Sequence, residues 1–349
     1  MAYTTINKST DYFNTKLYTG NGSLPRAITG VGHQPDFVWI KNRDVGYHHQ
    51  LYDSVRGTSA GVLYSTLTDA EDSTYQLSSF DSDGYTMGSN LGAVNGNGED
   101  IVSWNWKANG AGSSNTDGSI TSTVSANTTS GFSIVQYTGN STSGATVGHG
   151  LGVVPKMIIV KTTARAGNWV TYHHTLGATK YLELNNNGAV GTSTAAWNDT
   201  APTSSVFSLG SWSNTNDNGY GMIAYCFAEK KGYSKFGSYV ANGNTDGTFI
   251  YTGFKPAWVM YRRSDGSVNW NINDNKRDTY NVAGTTLQAN SSGAEFTYMS
   301  SGGYLDFLSN GFKCRGLSSA HNTAGGNYIY MAFAEAPLVG TNNVPCTAR

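Results

Sequence analysis

Residues 31–41 read VGHQPDFVWIK, a turn and a proline followed by an apolar run that a lysine closes. The same arrangement recurs as GVVPKMIIVK at residues 152–161 and as GFKPAWVMYR at residues 253–262. Proline is tolerated at the first residue of a strand, where no ladder donor is required. Each block therefore predicts a buried strand, and their recurrence predicts three diverged copies of one β-rich domain.

Two aromatic landmarks follow each block in the same order. The first lies 50, 52 and 56 residues after the proline of its copy, and the second lies 71, 72 and 77 residues after it. In chain order these landmarks are Tyr85, Phe207 and Phe312, then Trp106, Phe227 and Phe333. Their order and nearly constant spacing favour a true repeat over the chance self-similarity of a chain rich in glycine and tyrosine.

These landmarks predict the domain boundaries. The three repeat domains span residues 1–107, 131–231 and 232–337. Residues 108–130 are rich in Gly, Ser and Thr, which predicts a linker. Residues 338–349 are predicted to form a C-terminal tail that hangs loose or docks on a neighbour.

The composition predicts the fold class. The chain has 43 glycines and 22 tyrosines, and Asn, Ser and Thr fill most of the remaining polar positions. Gly, Asn and Ser favour turns, whereas Tyr, Trp, Thr and Val favour strands. No convincing amphipathic helix stands out, and turn signals recur about every 8–12 residues. We therefore predict an all-β chain of three tandem antiparallel β-sandwich domains, jelly-roll-like in form.

Charge and cysteine content exclude several classes of protein. Charged residues make up 13% of the chain and the formal net charge is −1, with no block of Lys or Arg. Phosphate backbones require clustered positive charge, so no nucleic-acid partner is expected. Three widely spaced cysteines, Cys226, Cys314 and Cys346, form neither a disulfide framework nor a CxxC site.

No targeting or membrane segment is predicted. The N-terminus lacks the apolar core of a signal peptide. No apolar run approaches the ~20 residues that span a bilayer. The protein is therefore expected to be made in a host cytoplasm, without membrane insertion.

Two histidine pairs, His48-His49 and His173-His174, fall at matching places in the first two copies. Such pairs raise the hypothesis of a metal site or a pH sensor. Adjacent residues of a strand point to opposite faces, however, so one pair cannot easily grip a single metal ion. The alternative interpretation is half-buried polar residues of a strand.

The Asp- and Asn-rich turns at residues 81–84 and 214–219 could supply oxygen ligands to calcium, but these are also ordinary turn residues. The chain has no G-x-S-x-G elbow, no HExxH motif and no P-loop. We predict no catalytic residue, no metal ligand and no cofactor.

The tryptophans divide into two classes. Four are predicted to be core residues, with Trp39 and Trp258 at equivalent strand positions: Trp39, Trp104, Trp106 and Trp258. Trp197 and Trp212 instead lie in polar, loop-like surroundings, and we predict them as candidate ligand-binding residues. An exposed ring there could stack on a sugar or on a partner protein.

Several of these segments together resemble a known repeat domain. They are residues 11–22 (DYFNTKLYTGNG), 30–43 (GVGHQPDFVWIKNR), 49–57 (HQLYDSVRG), 80–84 (FDSDG), 102–107 (VSWNWK) and 148–161 (GHGLGVVPKMIIVK). The chain resembles a repeat domain of uncharacterised function that occurs in virion structural and tail proteins of marine tailed bacteriophages, including cyanophages. The likeness is good over copies one and two and loose over copy three, which lacks the Gly-His-Gly element.

The resemblance implies a non-enzymatic structural protein on the virion surface. We expect it to be tail-associated, as a fibre or tail-tip module that contacts the host surface. A capsid decoration or knob protein is the alternative, and a glycan-degrading tail enzyme is less favoured because the sequence shows no carboxylate signature. The expected partners are other virion structural proteins and a host-surface glycan or protein. Assembly as a homo-oligomer, or as a pseudo-symmetric monomer on a threefold axis, stays open.

Overall fold

The computed structural model describes residues 3–89, 91–297, 303–340 and 345–346. These residues form mainly short antiparallel strands, so the prediction of an all-β, antiparallel sandwich fold is confirmed. In the described ranges no helix is long and apolar enough to cross a bilayer. The helical segments are a 3-10 turn (Ser9–Asp11), α1 (Leu91–Asn95), α2 (Thr194–Trp197) and α3 (Ser213–Asn216).

The first unit consists of one large and one small sheet. Its strands are β1 (Phe13–Thr19), β2 (Arg26–Thr29), β3 (Phe37–Asn42), β4 (Gln50–Asp53), β5 (Leu63–Tyr64), β6 (Leu77–Asp81), β7 (Gly84–Met87) and β8 (Asp100–Trp106). The large sheet has the order β1-β8-β3-β4-β5, and the small sheet has the order β2-β7-β6.

The second unit has the widest sheet. Its strands are β9 (Ser113–Asn115), β10 (Ser122–Asn127), β11 (Phe132–Thr138), β12 (Ala145–Gly148), β13 (Met157–Thr162), β14 (Val170–His173), β15 (Lys180–Glu183), β16 (Gly191–Thr192), β17 (Val206–Leu209) and β18 (Gly221–Phe227). The large sheet has the order β16-β15-β14-β13-β18-β11-β10-β9, and β12 pairs with β17 in the small sheet.

The third unit repeats the two-sheet pattern. Its strands are β19 (Ser234–Val240), β20 (Asp246–Tyr251), β21 (Phe254–Arg263), β22 (Asn271–Asp274), β23 (Thr285–Gln288), β24 (Phe296–Thr297), β25 (Tyr304–Leu308), β26 (Gly311–Arg315) and β27 (Asn327–Pro337). The large sheet has the order β19-β27-β21-β22-β23-β24, and the small sheet has the order β20-β26-β25.

The three large sheets share one arrangement around the strand that follows the proline block. That strand lies beside the last strand of its unit, as in β1-β8-β3, β11-β18-β13 and β19-β27-β21. Every residue of β3 and β13 is buried, which explains the continuous apolar runs because both faces of these strands are covered.

The strand register corrects one equivalence predicted from the sequence. Phe37 lies opposite Trp106, and Trp258 lies opposite the matching Phe333. Trp258 therefore corresponds to Phe37 and not to Trp39, although all of these side chains are buried as expected.

Each unit has its own apolar core, and a fourth core forms where the three large sheets meet. Trp106, Phe227 and Phe333, one from each unit, meet at its centre. Their ring centroids are 5.7 Å apart between Trp106 and Phe333, 6.2 Å between Phe227 and Phe333, and 6.4 Å between Trp106 and Phe227. The units are thus arranged around an approximate threefold axis that passes through this aromatic triad.

The prediction of a free linker at residues 108–130 is wrong. Strand β10 pairs along its length with β11, and β9 pairs with β10. Ile120 and Val124 place apolar side chains in the core of the second unit. The Asp36 carboxylate also accepts the backbone N–H groups of Ala108 (2.7 Å) and Gly110 (3.1 Å). The serine and threonine residues of this segment favour strands, because small β-branched and hydroxyl side chains fit a half-buried sheet.

The two ends of the described chain meet on the third unit. Tyr3 donates a hydrogen bond to the carbonyl of Gly253 at 2.7 Å, and the backbone N–H of Leu338 donates to the same oxygen at 3.4 Å. The backbone N–H of Cys346 donates to Leu338 at 3.0 Å. The described part of the predicted tail therefore docks on its own chain, and residues 341–344 and 347–349 lie outside the described residues.

Candidate functional site

Trp197, predicted as an exposed ligand-binding residue, is only 2% exposed. It ends helix α2, which turns the ring into the core of the second unit, edge-on to Tyr172 at 5.8 Å. The polar residues around Trp197 in the sequence begin and end this short helix, with Ser193 as its N-cap and Asn198 as its C-cap. The prediction that Trp197 is exposed is therefore wrong.

Trp212 is half-buried and packs against the same core. Its ring meets Tyr181 edge-on at 4.8 Å, and its backbone N–H donates to the carbonyl of Ala195 at 3.0 Å. Part of the Trp212 ring therefore packs against the second unit and is not available to a ligand. The two tryptophans do not form an open binding platform.

The histidine pairs serve the contacts between units. His49 is fully buried, accepts a hydrogen bond from the Trp39 indole (2.8 Å) and donates to the carbonyl of Gln288 in the third unit (3.1 Å). His173 donates to the carbonyl of Tyr330 at 3.3 Å, and burial together with the neighbouring His174 lowers the pKa of His173 to about 3. Among the residues that the structure describes, no group of three or more His, Cys, Asp or Glu side chains could hold a metal ion.

The contact of His49 with Gln288 belongs to a ring of three equivalent hydrogen bonds. His49, Trp169 and Trp270 each precede the strand that pairs with the proline-block strand. Each donates a ring N–H to a backbone carbonyl of another unit. The pairs are His49 with Gln288 (3.1 Å), Trp169 with Tyr64 (2.9 Å) and Trp270 with Glu183 (2.9 Å).

A second ring joins the backbones of the units directly. The N–H groups of Glu71, Val190 and Glu295 donate to the carbonyls of Thr163 (2.8 Å), Ser264 (2.9 Å) and Arg43 (2.7 Å). The two rings connect first to second, second to third and third to first. An equivalent main-chain hydrogen bond therefore joins the units at each of the three junctions.

Buried ion pairs support two of these junctions. Arg56 pairs with Asp53 at 2.6 Å, and Asp53 accepts the Tyr225 hydroxyl of the second unit at 2.8 Å. Arg277 pairs likewise with Asp274 at 2.6 Å, and Asp274 accepts the Trp104 indole of the first unit at 3.1 Å. His173 occupies the matching position of the second unit, opposite Met157 as Asp53 is opposite Phe37. Both aspartates are paired with arginines, and they therefore stabilise the fold.

The basic residues that close the proline-block strands are internal. Lys41, Lys161 and Arg262 are fully buried and donate to backbone carbonyls. The Lys161 amine reaches Thr162 at 2.7 Å and Thr68 of the first unit at 3.2 Å. Burial lowers the pKa of Lys161 to about 7 and that of Lys41 to about 8.

The acidic turn considered for calcium binds the protein itself. Asp83 accepts the backbone N–H groups of Gly30 at 3.0 Å and Gly32 at 2.6 Å. Asp81 accepts the hydroxyls of Ser79 at 2.6 Å and Thr86 at 2.7 Å. These oxygens close loops, which agrees with the turn interpretation.

The Asn-rich turn contains a clamp that the sequence analysis missed. Asn216 is fully buried, accepts the N–H of Asn140 (2.8 Å) and donates to the carbonyls of Thr142 (3.0 Å) and Gly210 (2.8 Å).

Asn95 and Asn322 hold the corresponding loops of the other units. A tyrosine of the first long strand donates to the carbonyl just before each asparagine: Tyr18 to Val94, Tyr137 to Thr215 and Tyr239 to His321. The Gly- and Asn-rich segments at residues 95–98, 218–219 and 325–327 are typical of turns, but they do not indicate the buried amides.

The outer face of the third unit's small sheet carries exposed aromatic side chains. Phe249 and Tyr251 point outward from β20, and they are 43% and 51% exposed. The Tyr3 hydroxyl lies 3.5 Å from that of Tyr251. Gly311 lies opposite Tyr251, and a Cβ there would collide with the backbone carbonyl of Ile250.

Charged residues flank these rings in compensated pairs. Asp246 pairs with Lys313 and Arg315, both at 2.7 Å, and Arg315 also pairs with Asp306 at 2.6 Å. The face thus combines apolar rings, hydroxyl groups and a balanced set of charges. We call the surface formed by Tyr3, Phe249 and Tyr251 the aromatic face, and it is the candidate binding site of the chain.

Two open grooves lie at the surface, one of about 240 Å³ lined by residues 121–123 and 136–138, and one of about 200 Å³ beside Asn269 and Gln288. The void in the shared core measures about 10 Å³ and is lined by apolar side chains such as Trp39, Trp169 and Tyr225. That is about the volume of a single water probe, so the void has no room for a larger ligand. The aromatic face is an open surface, suited to binding an extended partner.

A family model described as a domain of unknown function, DUF7483, matches residues 8–337 and so runs through all three units. No curated protein and no solved structure matches the chain.

Proposed function

The chain belongs to the DUF7483 family, whose description names no activity, and we propose from the chain's own features that it is a non-enzymatic structural protein on the surface of a tailed-phage particle. In this proposal it is a tail-associated module, part of a fibre or tail tip, that contacts the host surface. Its partners are other virion structural proteins and a host-surface glycan or protein.

The observation that carries the proposal is the common core of the three units. The triad of Trp106, Phe227 and Phe333 and the two rings of junction hydrogen bonds fix the three sandwiches relative to one another. A body of this kind presents its outer faces at fixed positions, as a structural or recognition module requires. The ion-paired Asp53 and Asp274 support a non-enzymatic role, because both carboxylates are committed to buried arginines.

Capsid decoration is the second candidate. The approximate threefold axis favours it, because a pseudo-symmetric body can seat on a threefold position of a shell. A glycan-degrading tail enzyme has less support, since it would need a pair of carboxylates free to act on a sugar.

Immunogold electron microscopy of purified particles tests the proposal. Antibody raised against the whole chain is expected to label the tail, and label spread over the head would support capsid decoration in its place. Antibody absorbed beforehand with the purified protein serves as the control. Unlabelled particles would refute the assignment to the virion.

A further inference from the structure

The aromatic face is peculiar to the third unit. Strand register places Phe249 at the position of Ala27 and Thr146, and Tyr251 at the position of Thr29 and Gly148. In all three units the residue between them, Ile28, Val147 or Ile250, points inward and is buried. The first unit keeps small residues at both outward positions, so the fold does not require the two rings of the third unit. In the second unit Gly148 is buried, because the Asn115 side chain covers it.

The surroundings of the rings indicate the chemistry of a ligand. Phe249 and Tyr251 are two residues apart on one strand, so both side chains project from the same face and their Cα atoms lie about 6.6 Å apart. Asp246, Asp306, Lys313 and Arg315 pair with one another beside Phe249 and Tyr251, so their charges balance. The Lys231 amine lies over the Tyr3 ring, 4.6 Å from its centroid. Apolar rings with nearby hydroxyls and balanced charges match a neutral sugar chain, whose rings have apolar faces and hydroxyl edges.

The edge of the sheet argues against a protein strand as the occupant. Strand β20 is the edge of its sheet, and a register shift between Asp246 and Phe249 interrupts its ladder. Bulges of this kind are a common way to prevent edge-to-edge pairing. The side chains of β20, and not its backbone, are thus available to a partner.

From these observations we infer that the aromatic face of the third unit binds a neutral polysaccharide by stacking sugar rings on Phe249 and Tyr251. This inference rests on the proposed function, in which the chain contacts the host surface, and names the class of ligand.

Affinity electrophoresis of the full chain in native gels tests the inference, with dextran, mannan or xylan as the neutral probes and alginate as the charged one. The wild-type chain is expected to be retarded by at least one neutral polymer. The double variant Phe249→Ala/Tyr251→Thr, which installs the residues of the first unit, should bind about tenfold more weakly. The double variant Ala27→Ser/Thr29→Ser, on the corresponding face of the first unit, should be retarded like the wild type.

Two results would overturn the inference: no neutral polymer retards the wild type, or the Phe249→Ala/Tyr251→Thr variant is retarded as strongly as the wild type. Because both rings are largely exposed, this variant should melt within about 3 °C of the wild type, so a loss of binding would not reflect unfolding. The immunogold result is independent. Tail label without polysaccharide binding would refute only the ligand, and binding without any label would refute only the location.

Discussion

At the scale of single residues, the buried ionisable groups determine how stability depends on pH. His173 and Lys161 both lie at junctions between units, and burial disfavours the charged form of each. His173 is neutral in the folded chain where an unfolded histidine is protonated. Lys161 loses its proton far more easily in the folded chain than in the unfolded one.

For His173, the pKa of about 3 in the folded chain lies below the ordinary histidine pKa of 6.5. The unfolded chain therefore binds the extra proton first, and stability is lost as the pH falls from about 6.5 toward 3. We expect His173→Gln to remove roughly 2–3 kcal/mol of the acid-induced loss, measured by urea unfolding at pH 7 and pH 4. The less buried His48, changed to Gln, is the matched control and should remove much less. An unchanged acid loss in His173→Gln would contradict this prediction.

For Lys161, the pKa of about 7 in the folded chain lies below the ordinary lysine pKa of 10.5, so the unfolded chain again holds the proton more tightly. Stability should consequently rise between pH 7 and pH 9. Lys161→Met should flatten this rise, while the exposed Lys8→Met variant should leave it intact. Equal slopes of the unfolding free energy against pH in wild type and Lys161→Met would show that the amine does not titrate differently on folding.

At the scale of structural elements, each loop after a first long strand depends on one buried asparagine. Asn216 makes hydrogen bonds to three backbone groups, and the bond to the Gly210 carbonyl is buried, so loss of its amide leaves a buried carbonyl unpaired. A loop rich in Gly and Asn is otherwise costly to order. The clamp therefore converts a flexible sequence into a fixed turn.

Asn216→Asp replaces the donating amide with an oxygen and should lower the free energy of unfolding by about 2–3 kcal/mol. Urea denaturation measures this loss, and faster amide hydrogen exchange in residues 139–144 should accompany it. The exposed neighbour Asn218, changed to Asp, should cost less than about 0.5 kcal/mol. Equal effects of the two changes would contradict the clamp.

The sequence predicted the positions of strands better than the environment of individual side chains. The proline blocks and aromatic landmarks predicted strands β3, β13 and β21 and the core tryptophans Trp104 and Trp106, because those signals are local. The burial of Lys161 could not be predicted, since its acceptor on Thr68 lies in another unit. Trp197 was misassigned because short helix α2 buries its ring while its sequence neighbours stay polar. The aromatic face was missed because Phe249 and Tyr251 look like ordinary alternating strand residues until the register with the other units is known.

At the scale of the whole molecule, the shared core makes the three units one cooperative body. Trp106 contacts Phe227 of the second unit and Trp258 and Phe333 of the third. Each large sheet has a face that only the other two sheets cover. A unit separated from its neighbours would expose that face to water.

Trp106→Ala should lower the free energy of unfolding by about 3–5 kcal/mol, because it opens a cavity at the centre of the triad. Unfolding should remain a single transition in calorimetry, with equal calorimetric and van't Hoff enthalpies. Phe207→Ala, in the separate core of the second unit, gives a comparison of similar size. Separate melting transitions in the wild type would show that the units fold independently.

The approximate threefold axis also has a genetic consequence. In a true homotrimer of this shape, one codon would specify the same outward residue on all three faces, so every change would appear three times. Here each face is encoded separately, and a mutation on one leaves the other two as they were. That independence permits Phe249 and Tyr251 to occupy the positions that Ala27 and Thr29 have in the first unit, and it lets selection change one face while the other two stay as they were.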